Sequence, residues 1–495
     1  MNDTAYITER TKTNNLTLLT DLYQLTMMNG YHLCGLDTRR AVFDVFYRGS
    51  GGYSYAIAAG LEQAIDYILN LHFDDTDIAY LRSLGIFGEE FLSALKDFRF
   101  TGDIKAVPEG TMVFPYEPIM TVSAPLWEAQ LVETALLTFI NHQTLIATKA
   151  ARLKECTKNK ISEFGLRRAQ GADAGIYGAR AACIGGCRTT SNVVAGKLFG
   201  IPVTGTHSHS WVMSFDSELE AFEKYAEIYP DNCLLLVDTY DTLKSGVPNA
   251  IKVFDKLKAE GHKPVGIRLD SGDLAYLSRK ARKMLDEAGH SDCLIFATND
   301  LDEDILLALN AQEAKIDVYG IGTKLITSYK NASLGGVYKL CALEEDGVLV
   351  PKIKISNSHE KTTNPGVKKI VRIFKDGMAQ ADLICLESDT FDTSKPLTIF
   401  HPEQTWKKTT FENYEIKELM VDIFKDGKLV YDMPSLKEIC DREDENIKEF
   451  FPEYRRVINT QDYKVDLSEN LWKLKNELLN HCLLYTSDAA DELDG

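Results

Sequence analysis

Four short apolar runs, CLLLVD (233–238), PVGIRLD (264–270), LIFATND (294–300) and IDVYGIG (316–322), each end in polar or glycine residues. They recur at about thirty residues, the period of parallel βα units. Between them NAIKVFDKLKAEG, AYLSRKARKMLDEAG and EDILLALNAQEA carry apolar residues at three-to-four spacing, which predicts helices, the first two closing on glycine. Upstream, ISEFGLRRA and PVTGTHSHS read as two further strands with helical AGKLFG between them. Six strand ends follow: EFGLRR, GTHSH, VDTYD, RLDSGD, ATNDLD and YGIGT. A doubly wound open sheet would account for the spacing as well. A barrel explains better why adjacent strand ends carry so many reactive groups, because barrel sites form at the C-terminal mouth.

The flanks differ from this pattern. Residues 1–145 mix a helical start, TLLTDLYQLTMMNGYHL, with strands such as AVFDVFYR and a long helical stretch beginning at WEAQLVETALL. Beyond 335 the chain turns to hairpins, GGVYKLCAL, VLVPKIKIS and KKIVRIFKDG, with DG pairs at the turns. The expected organisation is an N-terminal α+β domain (1–145), an α/β barrel (146–335) and a β-rich C-terminal extension (336–482). The final LLYTSDAADELDG is small, acidic and aperiodic. Residues 483–495 are therefore expected to be a non-native or disordered tail.

Composition narrows function. With 44% apolar residues the chain can bury a large core, and a formal net charge of −18 disfavours nucleic acid and anionic membranes as partners. Its ten cysteines form no C-x-x-C pair, and the N-terminus lacks an apolar leader segment. Both predict buried thiols in the cytoplasm. No P-loop signature and no G-x-G-x-x-G after a strand is present, so neither a P-loop grip on ATP nor a dinucleotide domain is expected.

The strand ends carry the chemistry. RLDSGDL offers Arg268, Asp270 and Asp273, a cation and two carboxylates that suit a sugar phosphate with Mg²⁺. In YGIGTKL two glycines precede Thr323, so backbone N–H groups could approach phosphate closely. FGLRRAQG puts Arg167 and Arg168 at another strand end. GTHSHSW places His207 and His209 one residue apart among hydroxyls. That pattern fits a metal pair, a nucleophile or a polar loop. His-x-His on a barrel strand also begins the metal site of amidohydrolases, but those need further strand-end histidines, and His262 and His290 lie beside helix ends instead.

LLTDLYQLTMMNGY, FGLRRAQG, GTHSHSW, RLDSGDL and YGIGTKL occur here in one order. In that set the chain, from about residue 14 to 480, resembles the nicotinate phosphoribosyltransferases. The resemblance implies an irregular α/β barrel of the type II phosphoribosyltransferases and a homodimer with shared active sites. It also implies formation of nicotinate mononucleotide and pyrophosphate from nicotinate and phosphoribosyl pyrophosphate. ATP would be a cosubstrate, Mg²⁺ a cofactor, and NAD salvage the context. By the same resemblance Tyr23, reaching in from the partner subunit, and Phe164 sandwich the pyridine ring. Arg167, Thr206 and Arg268 surround the nicotinate carboxylate and nearby phosphate, Asp270 faces ribose, and Gly322 with Thr323 holds the 5-phosphate. Asp270 and Asp273 would ligate Mg²⁺. His209 matches the position the family autophosphorylates, with His207 a neighbour of no assigned role. Nicotinamide enzymes depart from TDLYQLTM, and quinolinate enzymes are shorter and lack the phosphorylated histidine. The intact strand-end motifs argue against a catalytically silent homologue. Chemistry agrees: an imidazole is nucleophilic when neutral, as most of it is near pH 7, whereas oxocarbenium-like glycosyl transfer needs no protein nucleophile at ribose.

Overall fold

A computed structural model describes residues 15–49, 53–356 and 361–491; of 482–491 the backbone alone is described. Packing divides the chain into two units, one formed by 1–145, 333–455 and 460–495, the other by 146–332 with 456–459.

The first unit is built on a seven-stranded antiparallel sheet. Its order is Val348–Pro351, Gly336–Glu345, Arg40–Tyr47, Met120–Pro125, Asp103–Ala106, Val421–Lys425 and Lys428–Leu429. The segments expected as N-terminal domain and C-terminal extension thus share one sheet, since Arg40–Tyr47 pairs with Gly336–Glu345. Three DG turns, at Asp346–Gly347, Asp376–Gly377 and Asp426–Gly427, hold both residues at positive φ, the conformation a two-residue hairpin demands. A four-stranded sheet completes the unit: Glu415–Glu418, Lys368–Lys375, Met378–Leu386 and Val465–Leu467. At its centre Arg372 and Asp382, both fully buried, pair through two hydrogen bonds of 2.8 and 2.6 Å. The Tyr463 hydroxyl donates to the same carboxylate at 3.0 Å, and Arg372 lies 4.7 Å from the centre of the Phe450 ring. The last helix, Glu469–Asp491, runs without interruption into the segment expected to be a disordered tail; residues 492–495 of that tail lie outside the described residues.

The second unit carries six parallel strands in the order Thr189–Thr190, Lys160–Glu163, Val318–Ile321, Leu294–Asn299, Gly266–Leu269 and Leu234–Leu236. This curled parallel sheet, wrapped by helices, is an irregular α/β barrel. The expected helices form as Val247–Ala259, Leu274–Glu287 and Glu303–Ala311. In the first, Ala250, Val253, Phe254 and Leu257 are buried, the inward stripe that the three-to-four spacing encodes. Gly261 and Gly289 just past two of these ends take φ of 90° and 79°. PVTGTHSHS departs from expectation: it contributes a single parallel bridge, Val203 to Thr190, and no strand. The strand beside it in the sheet is Thr189–Thr190, two residues too short to leave a periodic signal.

Among the described residues no helix is long and apolar enough to cross a membrane. Among the cysteines whose side chains are described none forms a disulfide, and all but Cys34 are buried.

Candidate active site at the barrel mouth

Residues two apart on a strand share a face, so Arg268, in Gly266–Leu269, and Asp270 just beyond it both point into the mouth. Arg268 donates from Nη2 to Asp270 Oδ1 at 2.5 Å and from Nε to Thr298 Oγ1 at 2.9 Å. Thr298, on the neighbouring strand, donates its hydroxyl to Asp270 as well. Burial alone would raise the Asp270 carboxyl. The Thr298 hydroxyl and the Arg268 guanidinium outweigh it and hold this group below the ordinary carboxylate range. Asp238, at the end of the next strand, accepts from the Asp270 backbone N–H at 2.9 Å and from the Ser271 hydroxyl at 2.6 Å. Its Oδ1 is buried without a hydrogen-bond partner.

His209 opens the short helix His209–Met213. Its Nδ1 lies 3.1 Å from the Thr239 hydroxyl and its Nε2 3.8 Å from Asp270 Oδ2, with 41% of the side chain exposed. The imidazole therefore stands beside the Arg268–Asp270 pair with one nitrogen held by a neutral hydroxyl. His207 is turned the other way, 7% exposed, with Nε2 accepting the Leu236 N–H at 3.2 Å. Burial pushes it down to about 4, so it is neutral at physiological pH. Thr206, expected to face substrate, donates its hydroxyl to the Leu234 carbonyl; it sits on the seam between two segments of the wall.

Phe164 follows the strand Lys160–Glu163 and is bonded through its N–H to the Ile321 carbonyl at 2.8 Å. Its ring fills the space above Gly320, where a Cβ would come within 2.8 Å of it, and its carbonyl would lie 2.9 Å from a Cβ at Gly322. Gly320 thus makes room for the aromatic ring and Gly322 for the backbone that carries it, roles their expected approach to phosphate did not include. Glu163, fully buried, accepts from the Thr190 hydroxyl at 2.6 Å and from the Gly165 N–H, fixing the turn that carries Phe164. Arg167 and Arg168 are exposed on the turn Leu166–Arg168. Thr323 begins the turn of helix Thr323–Ile326 that Gly322 precedes. Tyr23 belongs to the other unit, on helix Leu22–Leu33, and is 48% exposed.

Asp270 and Asp273, the residues expected to ligate Mg²⁺, each have protein partners. Asp273 caps the helix Leu274–Glu287 through the Tyr276 N–H at 2.9 Å, and Asp270 is engaged by Arg268 and Thr298. Among the described residues no group of three or more His, Cys, Asp or Glu side chains is placed to hold a metal. The amidohydrolase alternative fails on the same ground, and His262 and His290 pair with Asp231 and Asp255, each at 2.9 Å. Sequence reasoning missed Asp238, Thr239, Thr298 and Glu163. Asp238, Thr239 and Thr298 lie within the strand ends VDTYD and ATNDLD, but a hydroxyl or lone carboxylate there has no spacing that marks it.

Known proteins share this fold. Residues 18–141 match the nicotinate phosphoribosyltransferase N-terminal domain, 159–392 the nicotinate phosphoribosyltransferase family and 367–475 its C-terminal domain. A Bacillus subtilis nicotinate phosphoribosyltransferase is 48% identical over 95% of this chain and 96% of its own. The Homo sapiens nicotinate phosphoribosyltransferase is 32% identical over 93% of this chain and 96% of its own. The crystal structure of human nicotinic acid phosphoribosyltransferase superposes with a TM-score of 0.81 at 30% identity, covering 93% of this chain and 99% of that one. A nicotinate-nucleotide pyrophosphorylase from Pyrococcus furiosus, 20% identical over 88% of this chain and 96% of that one, shares the fold with a TM-score of 0.68.

Proposed function

The chain belongs to the nicotinate phosphoribosyltransferase family, and from that premise we propose that it makes nicotinate mononucleotide for NAD salvage, driven by ATP through a phosphohistidine at His209. The observation that carries the ATP-coupled part is the setting of His209 itself. With Nδ1 3.1 Å from the Thr239 hydroxyl and Nε2 turned to the mouth, the ring, when its proton sits on Nδ1, presents a lone pair beside Asp270. Nε2 attacks the terminal phosphorus of ATP, the P–O bond to ADP breaks and its electron pair leaves with ADP. The Asp270 carboxylate balances the positive charge that develops on the ring. Water later cleaves the P–N bond, returning the imidazole and releasing phosphate.

Glycosyl transfer proceeds in the same mouth. The pyridine nitrogen of nicotinate bonds to ribose C1 as the C1–O bond breaks, and the electron pair leaves with pyrophosphate. Mg²⁺ enters with phosphoribosyl pyrophosphate as part of the substrate, neutralising the diphosphate. Arg268 exchanges its Asp270 partner for an anionic group of substrate, freeing Asp270 for ribose hydroxyls. Phe164 supplies one face of the base site and Tyr23 of the partner subunit the other, in a homodimer. Arg167 reaches the nicotinate carboxylate, and Gly322 with Thr323 receives the 5-phosphate. The enzyme works in the cytoplasm, where its substrates and reduced thiols coexist.

Turnover of the purified protein with nicotinate, nicotinamide and quinolinate, each with and without ATP, tests this reading. Nicotinate is the expected substrate and ATP the expected activator. Preference for nicotinamide, or indifference to ATP, would overturn the corresponding half.

A further inference from the structure

The barrel wall has one seam of unusual construction. The strand Leu234–Leu236 pairs through its main chain with Gly266–Leu269 on one side. Its other edge presents the Leu234 carbonyl and the Leu236 N–H, two residues apart and so directed the same way. The segment that reaches this edge, 202–207, is held on its far side by main-chain bonds, Thr190 N–H to Pro202 O at 3.1 Å and Thr204 N–H to Thr190 O at 2.9 Å. Across the seam the bonds come from side chains: Thr206 donates to Leu234 O, and His207 Nε2 accepts from Leu236 N–H. Two side chains thus stand where a strand's backbone would be.

These contacts bear on the mouth because the same two segments meet again there. His207 bonds Leu236, and two residues on, His209 bonds Thr239, three residues beyond Leu236. The first rung lies inside the wall and the second is partly exposed beside Asp270. The His207 ring is fixed from the outside by Tyr225, edge-on with centroids 4.8 Å apart, and by Phe222 at 6.0 Å. A ring so packed has one orientation in which Nε2 reaches the Leu236 N–H.

We propose that His207 is a positioning residue whose Nε2 closes the barrel seam at Leu236 and thereby sets the register that holds His209 against Thr239 and Asp270. This rests on the reading of His209 as the phosphoryl acceptor. What the position requires is a hydrogen-bond acceptor at the distance of Nε2, not a titrating group. A glutamine, whose side-chain oxygen extends about as far as an imidazole nitrogen and accepts an N–H, meets the requirement. Leucine fills the volume and leaves a buried N–H without an acceptor.

The experiment compares the full-length protein with H207Q and H207L by hydrogen exchange of the peptide containing Leu236, by the initial rate of phosphoryl labelling from ATP, and by ATP-independent nicotinate turnover. In H207L the Leu236 amide is expected to exchange about tenfold faster, as a buried amide does when its acceptor is removed. Labelling of His209 falls at least as much, whereas ATP-independent turnover falls less, because Arg268 sits on, and Asp270 just beyond, a strand held by its main chain. H207Q recovers most of the protection and of the labelling. H207N, too short to reach Leu236, takes the place of H207L should that variant not fold. Equal exchange of Leu236 in all variants, or unaltered labelling in H207L, overturns the proposal. Failure of the unaltered protein to take label would fail the phosphohistidine reading alone, and exchange at Leu236 would still decide whether His207 closes the seam.

Discussion

Arg268 Nη2 rests 2.5 Å from Asp270 Oδ1, with 15% and 30% of the two side chains exposed. The cation that would receive an anionic substrate is already paired, so substrate binding here is an exchange of partners. Exchange favours a planar guanidinium, which can hold two oxygens while leaving a third. R268K is therefore expected to lower kcat/KM on nicotinate by about tenfold or more, matching the ~1.5–3 kcal/mol of a charge-assisted hydrogen bond. Steady-state kinetics checks this, and an unchanged kcat/KM removes Arg268 from the site.

Replacing His209 separates energy coupling from glycosyl transfer. H209A should take no acid-labile, base-stable phosphate from ATP and should lose nicotinate-dependent ATP hydrolysis while retaining slow phosphoribosyl transfer. The affinity for phosphoribosyl pyrophosphate should also stop responding to ATP, each tenfold of lost response being about 1.4 kcal/mol of coupling. Label mapping to another residue would sink the assignment.

His207 makes stability depend on pH in a defined window. Burial lowers it to about 4 against the Ser208 carbonyl, which favours the charged ring, and the Arg268 charge acts with burial. The unfolded chain protonates this histidine near ~6.5. Above that pH both states are neutral and stability is full. Between 6.5 and 4 the unfolded state alone binds the proton, so stability falls as pH falls, by on the order of 3 kcal/mol in total. Urea midpoints measured from pH 7 to 4 should show this slope in the unaltered protein and a shallower one in H207Q. Parallel slopes would show that His207 is not held neutral.

The aromatic clamp predicts complementation. Tyr23 and Arg167 lie in different units, and Tyr23 is proposed to serve the partner's site. Mixing inactive Y23A and R167A subunits should restore part of the activity, because one hybrid site keeps both native residues. A fully active monomer in sedimentation would defeat the shared-site reading.

Stability of the first unit hangs on Arg372. R372L leaves the fully buried Asp382 without its cation and is expected to cost ~3–5 kcal/mol. Replacing both residues by apolar ones of similar volume should recover most of it. A double-mutant cycle on urea unfolding reads both values, and additive effects would refute the coupling.

The barrel's period was legible because strands and helices repeated together from 233 to 322, and the helix stripes and DG turns followed from spacing and backbone preference. Arg268, Asp270 and His209 could be placed at one mouth because strand ends of a parallel barrel converge. The rest was hidden for physical reasons. Thr189–Thr190 is too short to show alternation. GTHSH was expected to be a strand end, whereas the chain makes only one bridge at Val203 and its Thr206 and His207 side chains bond the strand Leu234–Leu236. Asp273 was expected as a ligand, and its spacing to Tyr276 is equally that of the helix cap it forms. The sharing of one sheet by the two flanks joins strands nearly three hundred residues apart, such as Val45 and Tyr338, and no local pattern reports such a pairing.

A main-chain seam is indifferent to which residues compose it, since nearly every residue carries the same N–H and C=O. The seam at Leu234–Leu236 is not. There the pairing is spelled in side chains, and few residue types can spell it. Mutational drift along the other strands repacks a wall that stays shut, whereas drift at Thr206 or His207 unzips it. The barrel is thus robust around most of its circumference and brittle along one line, and that line runs two residues from the imidazole on which ATP would act.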